Sequence, residues 1–186
     1  MKIITIPHPT LRLVATPVKE VDKKLITLIT DLEETLLATR KPKGVGLAAP
    51  QVDRLKRMFA INFVEDNRDL RTIINPVIAK HSADKTFGPD ENEPYLEGCL
   101  SIPGIYGPVP RWEWVELEYQ EVKNGTLIST TEYFEDFAAR VIQHEYDHLE
   151  GILFTDYSVE FDLPLYKDSL NGKKMEEIDK AVLQLV

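Results

Sequence analysis

The chain has 186 residues, 43% hydrophobic and 28% charged, enough for one globular domain with a sizeable core. Its formal net charge of −9 argues against nucleic acid as the principal partner. No apolar run approaches the roughly 18 residues that span a bilayer, and the single cysteine, Cys99, excludes an internal disulfide. The opening MKIITIPHPTLRLVATPVKE does not read as a signal peptide, because Pro7, His8 and Pro9 interrupt its apolar stretch. The expected setting is the cytoplasm, or an organelle after removal of a leader.

From residue 22 to 39, Leu25, Leu28, Ile29, Leu32 and Leu36 recur at helical spacing behind Asp22, a capping residue. A surface helix with one buried face is predicted there. KPKGVGLAAPQ then reads as a Gly/Pro-rich loop. RMFAINF and RTIINPVIAK read as strands, being rich in β-branched and aromatic residues. The stretch from His81 to Pro94 is polar and turn-like. WEWVELEY, 112–119, alternates apolar and charged residues and predicts a half-exposed strand; TLISTTEYF, 126–134, continues the pattern. A helix is predicted over 135–149, stopped by Gly151 as its C′ glycine, and a final helix over 173–185. Helix first, strands in the middle and helices last predict an α+β fold. Its parts are an N-terminal helix, antiparallel or mixed strands around a central H-E-x-x-H helix, and a C-terminal helix, in a single domain over 1–186.

The middle helix carries the chemistry. QHEYDHLEG, 143–151, sets His144 and His148 four apart with Glu145 directly after the first. On a helical wheel at about 100° per residue, both histidines and Glu145 share an arc with Phe137, Ala138, Val141, Ile142 and Leu149. Asp136, Gln143, Asp147 and Glu150 fall opposite, where they are expected to face water. A spacing of i, i+4 stacks two imidazoles one turn apart, as two ligands of one tetrahedral metal require. Glu145 is rotated off that line, within reach of water at such a metal, and burial would raise its pKa toward neutrality. The plainer alternative is a pair of core histidines hydrogen-bonded to backbone.

Two histidines leave a catalytic metal one protein ligand short. In the extended zinc-protease pattern H-E-x-x-H-x-x-G-x-x-H, Gly151 is in place but the last position is Phe154, which cannot ligate. Two options stand. One is a glutamate of the predicted last helix, Glu176 or Glu177. The other is Cys99 in LEGCLSIPG, whose thiolate suits zinc or ferrous iron.

Three segments, GVGLAAPQ at 44–51, EGCLS at 97–101 and QHEYDHLEG at 143–151, resemble in order and spacing the signatures of the peptide deformylases. PHPTLRLVATPV and the PVPR of 108–111 are similar to that family as well, so the resemblance covers the chain to about Tyr157. It implies that Cys99, His144 and His148 hold one divalent metal, with water in the fourth position. Fe²⁺ is the implied native ion, and Zn²⁺, Ni²⁺ or Co²⁺ can occupy such a site in purified protein. It implies Glu145 as general base and hydrolysis of the N-formyl group of a formyl-methionine peptide, with release of formate. Gln51, through its side-chain amide, and Leu100, through its backbone N–H, are the implied oxyanion donors. Gly46 matches the position where backbone approaches the substrate.

Val45, Phe137 and Val141 are the apolar candidates for the methionine pocket. Arg140 borders that pocket or forms a structural salt bridge. Glu97 and Arg111 match family positions and read as an ion pair supporting the site, with Asp147 pairing to Arg111 or to solvent. The sequence departs from the bacterial pattern in GIYG, where Tyr106 stands at a place often held by arginine. The implied partners are formyl-Met nascent peptides, in ribosome proximity, with no direct nucleic-acid reading and no membrane. Lys167, Lys173, Lys174 and Lys180 of the tail are candidates for contact with ribosomal RNA. Two other readings stay open: a zinc metallopeptidase with the C-terminal glutamate as ligand, and a non-catalytic module whose histidines are structural.

Overall fold

Every position of the strand Met58–Ile61 (β2) is buried, and the two layers that cover it organise the molecule. In this computed structural model, which describes residues 1–64, 68–90, 93–168 and 175–179, β2 lies second in a five-stranded antiparallel sheet. The order is β1 (Gly46–Ala48), β2, β3 (Arg71–His81), β8 (Trp114–Lys123) and β9 (Thr126–Glu135). Successive strand residues point to opposite faces. Met58 and Ala60 therefore pack with Leu32 and Leu36 of helix α1 (Lys23–Ala38). Phe59 and Ile61 pack with Ile142 and Leu149 of helix α2 (Asp136–Leu149). A continuous apolar run in the sequence is what a strand covered on both faces needs.

Helix α1 starts where its cap directs: Asp22 Oδ1 accepts from the Leu25 N–H at 2.7 Å. Each of the leucines it buries, Leu25, Leu32 and Leu36, contributes about 1.5–3 kcal/mol. Helix α2 ends at Gly151, which takes a left-handed φ of +72°. A side chain there would also meet the backbone of Arg12, since an added Cβ would lie 2.7 Å from Arg12 C and O. The N-terminal segment is thereby held along the end of α2, where the Ala15 N–H donates to Leu149 O at 2.8 Å.

A second antiparallel sheet, ordered β11 (Met175–Ile178), β10 (Leu165–Asp168), β6 (Ile102–Pro108) and β5 (Leu96–Cys99), stands beside the first. Helix α3 (Phe154–Glu160) contributes Phe154 to the third core cluster, with Leu11, Ile102, Val109 and Leu165. The strands β4 (Lys85–Thr86) and β7 (Arg111–Trp112) pair as a short ribbon. The chain is thus α+β, with three helices and antiparallel sheets among the described residues. No helix of that set is long and apolar enough to cross a membrane.

Three expectations are corrected. Within the span 173–185, predicted as a helix, Met175–Ile178 is a strand paired residue by residue with β10; residues 173, 174 and 180–185 lie outside the described residues. Among the tail lysines, only Lys167 falls on a described element, β10. Pairing of Met175–Ile178 onto β10 satisfies its backbone groups in a way that local helical periodicity cannot reveal. Strand β4 lies inside the stretch read as turn, His81 to Pro94. Gln143, placed on the water-facing side of α2, is buried. Its side chain accepts from Trp112 N and donates to Trp112 O, both at 2.9 Å, joining α2 to β7.

Candidate active site

Helix α2 presents His144 and His148 one turn apart, with ring centroids 5.0 Å apart and planes at 84°. Strand β5 brings Cys99 to them. The ladder with β6 shifts register between Gly98 and Cys99, and the thiol turns toward the helix. Cys99 Sγ lies 3.2 Å from His148 Nε2. The ligand atoms of Cys99, His144 and His148 all fall within 4.8 Å of one another. A tetrahedral ion with bonds of about 2.0–2.3 Å keeps its ligand atoms roughly 3.5 Å apart, so the set fits such an ion. The donor chemistry, one thiol and two imidazoles, also suits a divalent transition metal.

The two imidazoles sit in different surroundings. His144 Nδ1 lies 3.0 Å from Glu97 Oε2, which leaves Nε2 for the cluster. Burial works against charge on His144, but hydrogen bonds to Cys99 and Glu97 outweigh it and hold its pKa well above the ordinary value. His148 is driven well below, by burial first and then by the charges of His144 and Arg111. Its Nδ1 is buried with no hydrogen-bond partner among the described residues.

Glu145 is 4% exposed, and burial raises its pKa to about 7. Its Oε2 has no partner among the described residues. Gly46 supplies the space for this side chain: a Cβ on Gly46 would collide with Glu145 Oε1 and lie 2.7 Å from its Cδ. Gln51, 1% exposed, is oriented by its neighbours. Its Oε1 accepts from the Ala48 N–H at 2.8 Å, so Nε2 faces Ser101 Oγ at 3.2 Å and Cys99 Sγ at 3.4 Å.

A cavity of about 240 Å³ opens onto these groups. Val45, Gly46, Phe137, Arg140 and Val141, the expected substrate contacts, all line it, together with Leu100 and Tyr106. Phe137 is half exposed at 52%, although the wheel placed it on the apolar arc. Arg140 borders the cavity and forms no salt bridge among the described residues: its guanidinium donates to Thr86 O at 3.0 Å and Val109 O at 2.7 Å. Glu176 and Glu177 lie on β11 as exposed residues and form no part of the cluster.

Behind the site, Arg111 is 2% exposed between two carboxylates. Nε and Nη2 donate to Glu97 Oε1 and Oε2, each at 2.9 Å, and Nη1 donates to Asp147 Oδ2 at 2.5 Å. Burial would raise the Glu97 pKa, yet the Arg111 charge and hydrogen bonds hold it well below the usual carboxylate range. Asp147 therefore faces Arg111 and not solvent. Tyr157, which the sequence did not single out, donates to Asp147 Oδ2 at 3.1 Å. No local pattern marks it, because only the packing of α3 brings it there.

An α+β scaffold that converges a thiol, two imidazoles and a buried carboxyl group with one unpartnered oxygen on an apolar-walled cavity has the parts of a metal-dependent hydrolase. The comparisons narrow that class. A family model, polypeptide deformylase, matches residues 1–162. The peptide deformylase of Psychrobacter arcticus is 41% identical over 157 residues, covering 84% of this chain and 78% of that one. That of Neisseria meningitidis is 38% identical over 156 residues, covering 84% and 85%. The crystal structure of a peptide deformylase from Legionella pneumophila superposes with a TM-score of 0.71 at 36% identity, covering 84% of both chains. The chain belongs to the polypeptide deformylase family.

Proposed function

We infer that this chain, read as one catalytic domain over residues 1–186, removes the N-formyl group from the formyl-methionine of newly made polypeptides and releases formate. The observation that carries this reading is Glu145: buried, unpartnered at Oε2, raised to about 7, and beside the Cys99–His144–His148 cluster at the cavity. Cys99, His144 and His148 would hold one divalent cation, Fe²⁺ in the native enzyme and Zn²⁺, Ni²⁺ or Co²⁺ as alternatives. When bound it would polarise the formyl carbonyl and lower the pKa of water.

The remaining work falls to the chain's own groups. Glu145, with a pKa near neutrality, takes a proton from the attacking water and returns it to the departing amine. Gln51 Nε2, aimed by the Ala48 N–H, and the Leu100 N–H donate to the formyl oxygen as negative charge develops there. Each such donor contributes about 3 kcal/mol. Val45, Phe137 and Val141 form the apolar wall for the methionine side chain, and Gly46 keeps room for Glu145. Arg140 shapes the wall from behind, its charge engaged by backbone carbonyls. A nascent-chain substrate is consistent with work near ribosomes, in the cytoplasm or in an organelle after removal of a leader.

The metallopeptidase alternative lacks its third ligand, since Glu176 and Glu177 stand outside the cluster. The test is metal content of anaerobically purified protein, paired with formate release from formyl-Met-Ala-Ser, for wild type and Cys99→Ser. One metal per chain with activity, both sharply reduced in the variant, is expected. Full metal retention in Cys99→Ser, or no formate from metal-loaded wild type, overturns the reading.

A further inference from the structure

The support behind His144 does not end at Glu97. Glu97 Oε2 serves His144 Nδ1 at 3.0 Å and Arg111 Nη2 at 2.9 Å. Arg111 is held on its other side by Asp147, at 2.5 Å, and its guanidinium lies over the Tyr157 ring, 5.0 Å from the centroid. Tyr157 OH completes the chain at Asp147 Oδ2, 3.1 Å away, with Arg111 Nη1 at 3.5 Å. Four elements meet here: β5 through Glu97, β7 through Arg111, α2 through Asp147 and His144, and α3 through Tyr157.

We propose that Tyr157 is a positioning residue for His144, acting through Asp147, Arg111 and Glu97 to fix the orientation of that imidazole toward the Cys99–His148 pair. The proposal rests on the reading of Cys99, His144 and His148 as a metal site. Its physical basis is competition for one guanidinium. Asp147 and Glu97 draw the buried Arg111 in opposite directions, and the balance sets where the Glu97 carboxylate sits. The Tyr157 hydroxyl takes up part of the acceptor capacity of Asp147 Oδ2, and the ring limits tilting of the guanidinium plane. Without the hydroxyl, Asp147 draws on Arg111 alone, and the paired N–H bonds to Glu97 loosen. A buried ion pair resists such loosening only while every partner is satisfied. Carboxylates that orient metal-ligating histidines commonly change metal affinity about 10- to 100-fold when removed.

A residue that only pinned α3 to the body of the fold would behave differently. Its loss would lower stability and leave the ligands as they were. Phe161 supplies that control: it stacks on Tyr157 with centroids 6.3 Å apart but forms none of the bonds of the chain.

The experiment loads the full chain with Co²⁺ and follows loss of the ion to excess EDTA, alongside the visible thiolate–cobalt spectrum. The variants are Tyr157→Phe, Glu97→Gln, the double variant and Phe161→Leu; thermal midpoints of the metal-free proteins are measured in parallel. Tyr157→Phe is expected to release Co²⁺ about three- to tenfold faster than wild type, with shifted bands, and Glu97→Gln faster still. In the Glu97→Gln background the second substitution should add nothing, because its route to His144 is already cut. Phe161→Leu should release the ion at the wild-type rate whatever its midpoint. A Tyr157→Phe rate equal to wild type, a full additive effect in the double variant, or equal acceleration by Phe161→Leu overturns the proposal. Wild type that takes up no Co²⁺ through Cys99 overturns the metal reading itself, and the proposal with it.

Discussion

Two glutamates of this protein, Glu97 with an 11% exposed side chain and Glu145 4% exposed, line the same cavity, yet the fold treats them in opposite ways. Glu97 receives two hydrogen bonds from Arg111 and one contact with His144, which hold its pKa well below the usual carboxylate range. Glu145, at the cavity, has an oxygen with no partner among the described residues, and burial raises it to about 7. Burial alone therefore does not decide the state of a carboxyl group; a fixed cation within hydrogen-bond reach does. One environment fixes an ionised carboxylate against His144, the other leaves a group that can accept and release a proton near neutral pH. Environments that push two carboxyl groups apart in this way assign their roles.

The comparison breaks most sharply at Glu145. Glu145→Gln should lower kcat/KM on formyl-Met peptides by about 10³-fold while metal content stays at the wild-type level. Formate assays paired with metal analysis check this, and a variant retaining full activity removes Glu145 from the proton-transfer role.

On the other side, Arg111→Met should strand Glu97 and Asp147 as buried charges and cost about 3–5 kcal/mol of stability. Urea unfolding measures it. Adding Glu97→Gln to that variant should restore part of the loss; no restoration would mean that the charge of Glu97 is not what Arg111 compensates.

Acid titration of the metal-free protein sharpens the contrast, because the two groups act with opposite sign. The Glu145 pKa rises from 4.5 to about 7 on folding, so its contribution is favourable below 4.5 and is lost as pH climbs through about 7. Glu145→Gln should thus be more stable than wild type at pH 8, by about 3 kcal/mol, and level with it at pH 4. Glu97 is depressed below 4.5 on folding, so its contribution is present above 4.5 and lost as pH falls through the folded value. Glu97→Gln should be destabilised at neutral pH, with the gap narrowing on acidification. Parallel curves for the two variants would show that their environments are not distinct.

The smallest effect is expected at Gly46. In Gly46→Ala the new methyl group meets the Glu145 carboxyl and displaces it, lowering activity about 10- to 100-fold without loss of metal. Metal loss in that variant would instead point to wider disruption of the loop.

Much of this was legible in the chain because the relevant patterns are local. The period of Leu25, Leu28, Ile29, Leu32 and Leu36 is a property of one helix, and Asp22 caps it from the adjacent residue. His144 and His148 share a helix face by spacing alone. The β-branched composition of RTIINPVIAK and the alternation over 112–119 came through for the same reason, falling on the strands Arg71–His81 and Trp114–Lys123. What escaped was set by partners distant in sequence. Strands β5, β6, β10 and β11 form by pairing with one another, and their Gly, Pro and charged residues carry no strand period. Gln143 looked solvent-facing on a wheel, which cannot know that Trp112 of β7 lies beside it.

Which residues can do chemistry, and which of them share a helix, is written in the chain: two imidazoles one turn apart, a carboxylate beside them, and a lone thiol far away. Periodicity and motif spacing act over a few residues, and covalent connectivity enforces them. Only the tertiary structure decided that Cys99 of β5 arrives 3.2 Å from His148, that Arg111 claims Glu97 and not Glu145, and that Tyr157 closes the chain of bonds behind His144. Those contacts join residues 10 to 49 positions apart in the chain. They exist because burying the apolar faces of two sheets and three helices leaves each of these polar groups one place in which its bonding is met.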